Sequence, residues 1–224
     1  MSPSEFFEKN HWLRILGFID KSMANLLYRH VQHEALRCQW FNNHGIDCDP
    51  FIHGEFSSTS DDPIRIHNNN YSFFEKYGDP IFDTLLEVSA GRISELVGKE
   101  LIPQYTYHRL YLKGVPLVPH IDKPGTGIAL SLCLGFDVSN VNHDYNWPLY
   151  LSGFPLHMNP GDLCIYRGEI IEHHRDEFLG IDQAQCFLFY SEKDSSYDII
   201  NDGRPLLGMP GNFKSEEAFK IQRQ

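Results

Sequence analysis

Apolar side chains recur along the chain with two different periods. After Asp20, which can cap a helix N-terminus, Met23, Leu26, Leu27, Val31 and Leu36 fall near a 3.6-residue spacing up to about Arg37 and predict one amphipathic helix. Asp79 and Pro80 give a second N-cap with proline at the first helical position. Behind them Ile81, Phe82, Leu85, Leu86, Ile93, Leu96 and Val97 form an apolar face despite Gly91, so this helix needs a flat partner. The period then changes to two. Runs over 104–112, 127–136, 147–151, 161–167, 169–175 and 184–191, with turn residues between them, predict short strands of an antiparallel sandwich or barrel. The stretch 42–70, rich in Asn, Asp, Ser, Gly and His, reads as loops with room for one short strand and for part of a lid. From Asn201 the glycines and prolines predict an irregular wrap.

Composition narrows the classes. A chain of 224 residues with 16 Phe and 11 Tyr can bury the core of a single domain. The formal net charge is -11 and the cations are scattered, so a phosphate backbone is repelled and nucleic acid is not the expected partner. Five cysteines, an odd number without CxxC spacing, fit reduced thiols in a cytoplasmic protein. The N-terminus lacks a secretory pattern and no apolar run is long enough to cross a bilayer, so no membrane partner is expected.

Parity within the strands separates candidate chemistry from packing. In 104–112, Tyr105, Tyr107, Arg109 and Tyr111 share one face, while Thr106, His108, Leu110 and Leu112 share the other. Three tyrosines and an arginine need polar partners once buried, which suits a polar pocket as well as an exposed face. His120 and Asp122 project from one side of an extended chain and can grip one ion, with a third ligand supplied from elsewhere. Two imidazoles and a carboxylate on one face of a metal leave the other face open, as in non-haem Fe(II) sites. Ser131 and Cys133 alternate with Leu130, Leu132 and Leu134, and so line an interior or simply pack. Asn68, Asn69 and Asn70 read as a solvated turn.

Taken together, Tyr111-x-x-Gly114, His120-x-Asp122, the strand over 128–135, Pro160-Gly161-Asp162, His173 and the closing strand over 186–190 resemble the 2-oxoglutarate and Fe(II)-dependent oxygenase superfamily, in its prolyl-4-hydroxylase-like branch. A closer likeness is to small microbial and phage oxygenases, through GKELIPQYTYHRLYLKG over 98–114, HIDKP over 120–124 and GDLCIYRGEIIEHHR over 161–175. The resemblance spans about Gly78 to Gly208. It implies a double-stranded β-helix, a cupin-like jelly roll that is mainly β with flanking helices. Residues 1–100 would give helical support and loops, 101–192 the jelly-roll core and 193–224 a tail. It also implies that His120, Asp122 and His173 hold Fe(II), with His174 as the competitor for the distal place, and that 2-oxoglutarate and O2 are co-substrates. The family's usual cation for the far carboxylate falls near Gln183 and Ala184 here, so Arg175, two residues after His173, is favoured. Arg109 comes second, Lys113 and Lys123 are more distant, and Tyr111 and Tyr107 are hydrogen-bonding candidates. A surface ion pair with Asp176 and Glu177 is the bland alternative for Arg175.

The activity implied is hydroxylation of an unactivated C–H bond in a small molecule, amino acid or peptide. Two alternatives are a demethylase of the same superfamily, disfavoured by the acidic charge, and a non-catalytic metal- or ligand-binding jelly roll. The primary substrate and the oligomeric state are not legible in the chain.

Overall fold

The computed structural model describes residues 1–57, 73–122, 127–142, 144–195 and 199–215. The asparagines at 68–70, Lys123 and the later part of the expected lid, 58–70, lie outside them. Four helices, α1 (Pro3–Asn10), α2 (Lys21–Asn43), α3 (Pro50–His53) and α4 (Pro80–Val97), accompany eleven strands among the described residues. The strands are β1 (Trp12–Ile15), β2 (Glu55–Ser57), β3 (Phe73–Tyr77), β4 (Leu101–Leu112), β5 (Leu117–His120) and β6 (Ile128–Asp137). They continue with β7 (Leu149–Leu151), β8 (Phe154–Leu156), β9 (Leu163–Tyr166), β10 (His173–Arg175) and β11 (Asp182–Glu192). They form a seven-stranded sheet, ordered β1-β9-β6-β11-β4-β3-β2, and a four-stranded sheet, ordered β5-β10-β7-β8. The pairings between strands are antiparallel, and the two sheets make a jelly roll.

Alternation along the large sheet sorts its residues between two cores. Ile128, Leu130, Leu132 and Leu134 of β6, with Ala184, Cys186 and Leu188 of β11, meet Phe7, Leu27, Val31, Phe82, Leu86 and Ile93 of the helices. The intervening Ala129 and Cys133 turn inward, against Leu149, Leu151 and Leu156 of the small sheet. The tyrosine face of β4 follows the inward set. Tyr105 stacks on Phe189 at 4.5 Å and Tyr111 meets Trp147 edge-on at 5.0 Å, while His108 on the other face packs 4.8 Å from Phe82.

The helix and strand expectations need three corrections. α2 is longer than predicted, and it buries Ala24, Leu27, Val31, Ala35 and Cys38 while Met23, Leu26 and Leu36 are exposed. Small residues let its backbone come close to the sheet; a Cβ on Gly135 would lie 2.6 Å from the Tyr28 ring. Of the predicted strand over 169–175 only the last three residues pair. The Ile170 and Ile171 amides instead donate to the Arg167 carbonyl, closing a turn. β5 ends at His120, so Asp122 stands just beyond a strand rather than within one. No described helix is long and apolar enough to cross a membrane.

A buried charge network ties α2 to the sheet. The Lys76 ammonium donates to Glu34 of α2 and, at 2.8 Å, to Asp79, whose other oxygen caps α4 through the Ile81 amide at 2.9 Å. His30 Nε2 lies 3.4 Å from both carboxylates and His108 Nε2 lies 3.2 Å from Glu34. Burial pushes the Asp79 carboxyl up, but His30 and Lys76 outweigh it and hold the group well below the usual carboxylate range; Glu34 is likewise held low, chiefly by His108 against burial. Depressed carboxyl pKa values give stability that is present above their unfolded values, about 4, and lost as pH falls through the folded ones. Replacing Lys76 by Met leaves two buried carboxylates without their shared cation. Lys76→Met is expected to cost about 3–5 kcal/mol in denaturant unfolding and to move the acid limb of the stability curve to higher pH, with Lys76→Met/Glu34→Gln regaining part of the loss.

Candidate active site

Strand pairing brings the two histidines together. In the β5–β10 ladder His173 sits directly opposite His120, and their rings are 4.2 Å apart. His120 Nδ1 contacts the Val118 carbonyl at 2.8 Å and His173 Nδ1 the Ile171 carbonyl at 3.0 Å. A carbonyl can only accept, so each Nδ1 carries the proton and each Nε2 presents a lone pair. Both Nε2 atoms point at Asp122 Oδ1, at 3.8 Å from His120 and 3.6 Å from His173. The three ligand atoms lie within 4.8 Å of one another. Burial pushes the His173 imidazole down, favouring the neutral form a metal needs, and raises the Asp122 carboxyl against the pull of the two histidines.

Asp122 is positioned by backbone rather than by a strand. Its amide donates to the Gly168 carbonyl at 2.8 Å, and its Oδ2 would stand only 1.8 Å from a Cβ at residue 168. Any side chain at 168 would drive Asp122 away from the histidines, a constraint that sequence reading missed because a glycine in the turn after β9 looks like ordinary turn chemistry. Asp122 Oδ2 is buried and makes no hydrogen bond. His173 also has the Tyr166 ring edge-on at 4.9 Å, which fixes the imidazole plane.

His174, one residue on, points to the opposite face and stacks on Tyr150 at 4.6 Å. Arg175 returns to the interior, where it is 3% exposed. It is no surface ion pair: among the described residues it meets no carboxylate. Its Nη1 donates to the Trp147 carbonyl at 2.7 Å, its guanidinium lies 4.7 Å from the Trp147 ring, and its Nη2 is buried with no partner. The buried Tyr111 hydroxyl, beside the same tryptophan, also lacks a partner. Trp147, held by its Nε1–H on the Asp176 carbonyl at 2.6 Å, thus organises both donors, and nothing in its sequence context marked it.

Arg109 and Tyr107 are engaged elsewhere. Arg109 Nη2 donates to Glu75 at 2.9 Å and to the Tyr107 hydroxyl at 3.0 Å, with its guanidinium 3.9 Å from the Phe73 ring; Tyr107 donates to Glu75 as well. Glu75 compensates the Arg109 charge, as no carboxylate does for Arg175. Lys113 takes part in none of these contacts.

No protein-family model matches the chain, and no curated protein matches it either. Solved structures do. The chain is similar to the α-ketoglutarate-dependent non-haem carbocyclase SnoK of nogalamycin biosynthesis, with a TM-score of 0.61 at 12% identity over 93% of this chain and 91% of that one. It is similar to a prolyl-4-hydroxylase of Pseudomonas putida, with a TM-score of 0.54 at 12% identity over 85% and 97%. It is also similar to HygX of Streptomyces hygroscopicus, solved with nickel and 2-oxoglutarate, with a TM-score of 0.52 at 12% identity over 85% and 86%. At such identities the likeness is one of fold, and the chain has the jelly-roll fold of the 2-oxoglutarate/Fe(II)-dependent oxygenases.

Proposed function

We propose that this chain is an Fe(II)- and 2-oxoglutarate-dependent dioxygenase that hydroxylates an unactivated C–H bond of a small molecule, amino acid or peptide. The observation that carries the reading is the coexistence, within one three-residue strand, of His173 in the His120–Asp122 cluster and of Arg175 with no anion. The donor set fits the groups. Two Nε2 lone pairs and one carboxylate oxygen on a single side suit Fe(II) with open positions, and a closed structural zinc shell would need a fourth protein ligand that the cluster lacks among the described residues. A buried guanidinium that meets no anion costs several kcal/mol, and a carboxylate-bearing ligand offsets that cost. A non-catalytic metal binder would have no use for it.

In this reading bound Fe(II) and 2-oxoglutarate together supply the activation of O2 for C–H oxidation. His120, His173 and Asp122 hold the metal. The Val118 and Ile171 carbonyls keep both imidazoles in the metal-binding tautomer. Arg175 Nη2 pairs with the far carboxylate of the co-substrate and the Tyr111 hydroxyl donates to it, while Trp147 keeps water from that end. Arg109 and Tyr107, paired with Glu75, shape the wall nearer the β3 edge, where a substrate would contact them.

Decarboxylation of [1-14C]2-oxoglutarate by the Fe(II)-loaded protein is the direct test. Wild type should release labelled CO2; Asp122→Ala and His173→Ala should fall to background with circular dichroism unchanged, and wild-type turnover in Asp122→Ala would sink the assignment. Arg175→Met should raise the KM for 2-oxoglutarate by about 10- to 100-fold, the worth of a charged hydrogen-bonded pair. Gly168→Ala should weaken Fe(II) binding by about 10-fold or more, measured by competition with a chelating dye, because it displaces Asp122 without touching either histidine.

A further inference from the structure

The buried end of the inward face holds another polar group without a partner. Gln185 of β11 is 0% exposed, and Ser131 of β6 is 1% exposed. The Ser131 hydroxyl donates to Gln185 Oε1 at 3.2 Å, which leaves the amide Nε2 buried and without an oxygen acceptor. Gln185 lies opposite Cys133 on one side and Arg109 on the other, two residues along β11 from the partner of Tyr111. Ala184, Cys186 and Leu188 go to the helix-facing core, so Gln185 belongs to the interior set. The Cys133 thiol links it to the guanidinium: burial pushes this thiol up to about 12, opposed by the charge of Arg175 and by a hydrogen bond with Gln185. Arg175 Nη2, Tyr111 Oη and Gln185 Nε2 are three buried donors without an oxygen acceptor: Arg175 and Tyr111 meet on the Trp147 ring, and Gln185 lies two residues along β11 from the residue opposite Tyr111.

An apolar medium makes each orphaned donor expensive, and three in one interior share a single remedy, an anionic acceptor with several lone pairs. We infer that Gln185 is a co-substrate-binding residue whose side-chain amide donates to the far carboxylate of the 2-oxo acid beside Arg175, with Ser131 positioning that amide. The inference rests on the proposed function and deepens it. One cation on β10 and two neutral donors stand in for the single cation that the resemblance expects on β11, so length selectivity for a dicarboxylate comes from a fixed amide and hydroxyl around a single charge. A monocarboxylic 2-oxo acid such as pyruvate has nothing to place there.

Calorimetric titration of the Mn(II)-loaded protein, with 2-oxoglutarate and separately with pyruvate, tests this without turnover. Gln185→Leu should weaken 2-oxoglutarate about tenfold and leave pyruvate unchanged. Gln185→Glu, nearly isosteric, should weaken 2-oxoglutarate further by charge repulsion, again sparing pyruvate; Ser131→Ala should give a smaller loss of the same selectivity. Equal loss of both ligands in the two Gln185 variants would mean a structural role and overturn the inference, as would wild-type 2-oxoglutarate affinity in Gln185→Leu. Failure of the wild type to bind either ligand would instead overturn the co-substrate reading itself, and this inference with it.

Discussion

A guanidinium wholly removed from water and facing no carboxylate is the constraint around which the interior is arranged. Arg175 cannot shed its proton, so its surroundings must make the charge bearable through the Trp147 carbonyl, the Trp147 ring and the electron-rich hydroxyl and thiol groups nearby. Those partners are neutral and leave a nitrogen unsatisfied. The strand that carries Arg175 also carries His173, and its pairing with β5 brings His173 opposite His120. Two residues of strand thus set the separation between a metal-type cluster and a cation, with side chains on one face and His174 sent to the other. In the proposed reading that separation is spanned by one 2-oxo dicarboxylate.

The rest of the fold keeps this geometry stiff. The large sheet gives one face to helices through close-packed aliphatic residues and reserves the other for polar groups that a dry core would not tolerate. On the helical side the Lys76 network does for Glu34 and Asp79 what no residue does for Arg175: it supplies the counter-charge within the protein. The tail adds a second closed pair, in which Arg204 meets Asp83 at 2.7 Å and reaches the Gln104 carbonyl at 3.1 Å, pinning 199–215 to β4. Among buried arginines, Arg204 is paired and Arg175 is not, and that difference separates scaffold from site.

Much of this was legible from the chain, for identifiable reasons. Period-two alternation in β4, β6 and β11 survives because each strand has two distinct faces, and of the two readings open for the tyrosine face of β4 the structure takes the inward one. The parity that lets only one of His173 and His174 face the cluster is a local property, with the resemblance choosing His173, and the helix start at Asp79 and Pro80 is local as well. What failed depends on tertiary contact. The buried face of α2 is chosen by small residues that permit close approach, whereas a hydrophobicity pattern weights Met23, Leu26 and Leu36. Short strands such as β1 and β8 have too few residues to show a period. Gly168, Trp147 and Gln185 act through neighbours distant in sequence, and the pairing of Arg109 with Glu75 required knowing that β3 lies beside β4.

The central claim is that one small cluster and one unpaired cation form a chelating site for a metal-bound 2-oxo acid. Its most direct test is anaerobic addition of Fe(II) and then 2-oxoglutarate to the purified protein, watched in the visible spectrum for the weak metal-to-ligand charge-transfer band of a chelated 2-oxo acid. The account predicts that the band appears with 2-oxoglutarate, saturates at one equivalent of iron, and is absent from His120→Ala. Iron binding without any such band at saturating 2-oxoglutarate would contradict it, leaving a jelly roll that holds a metal but not the co-substrate.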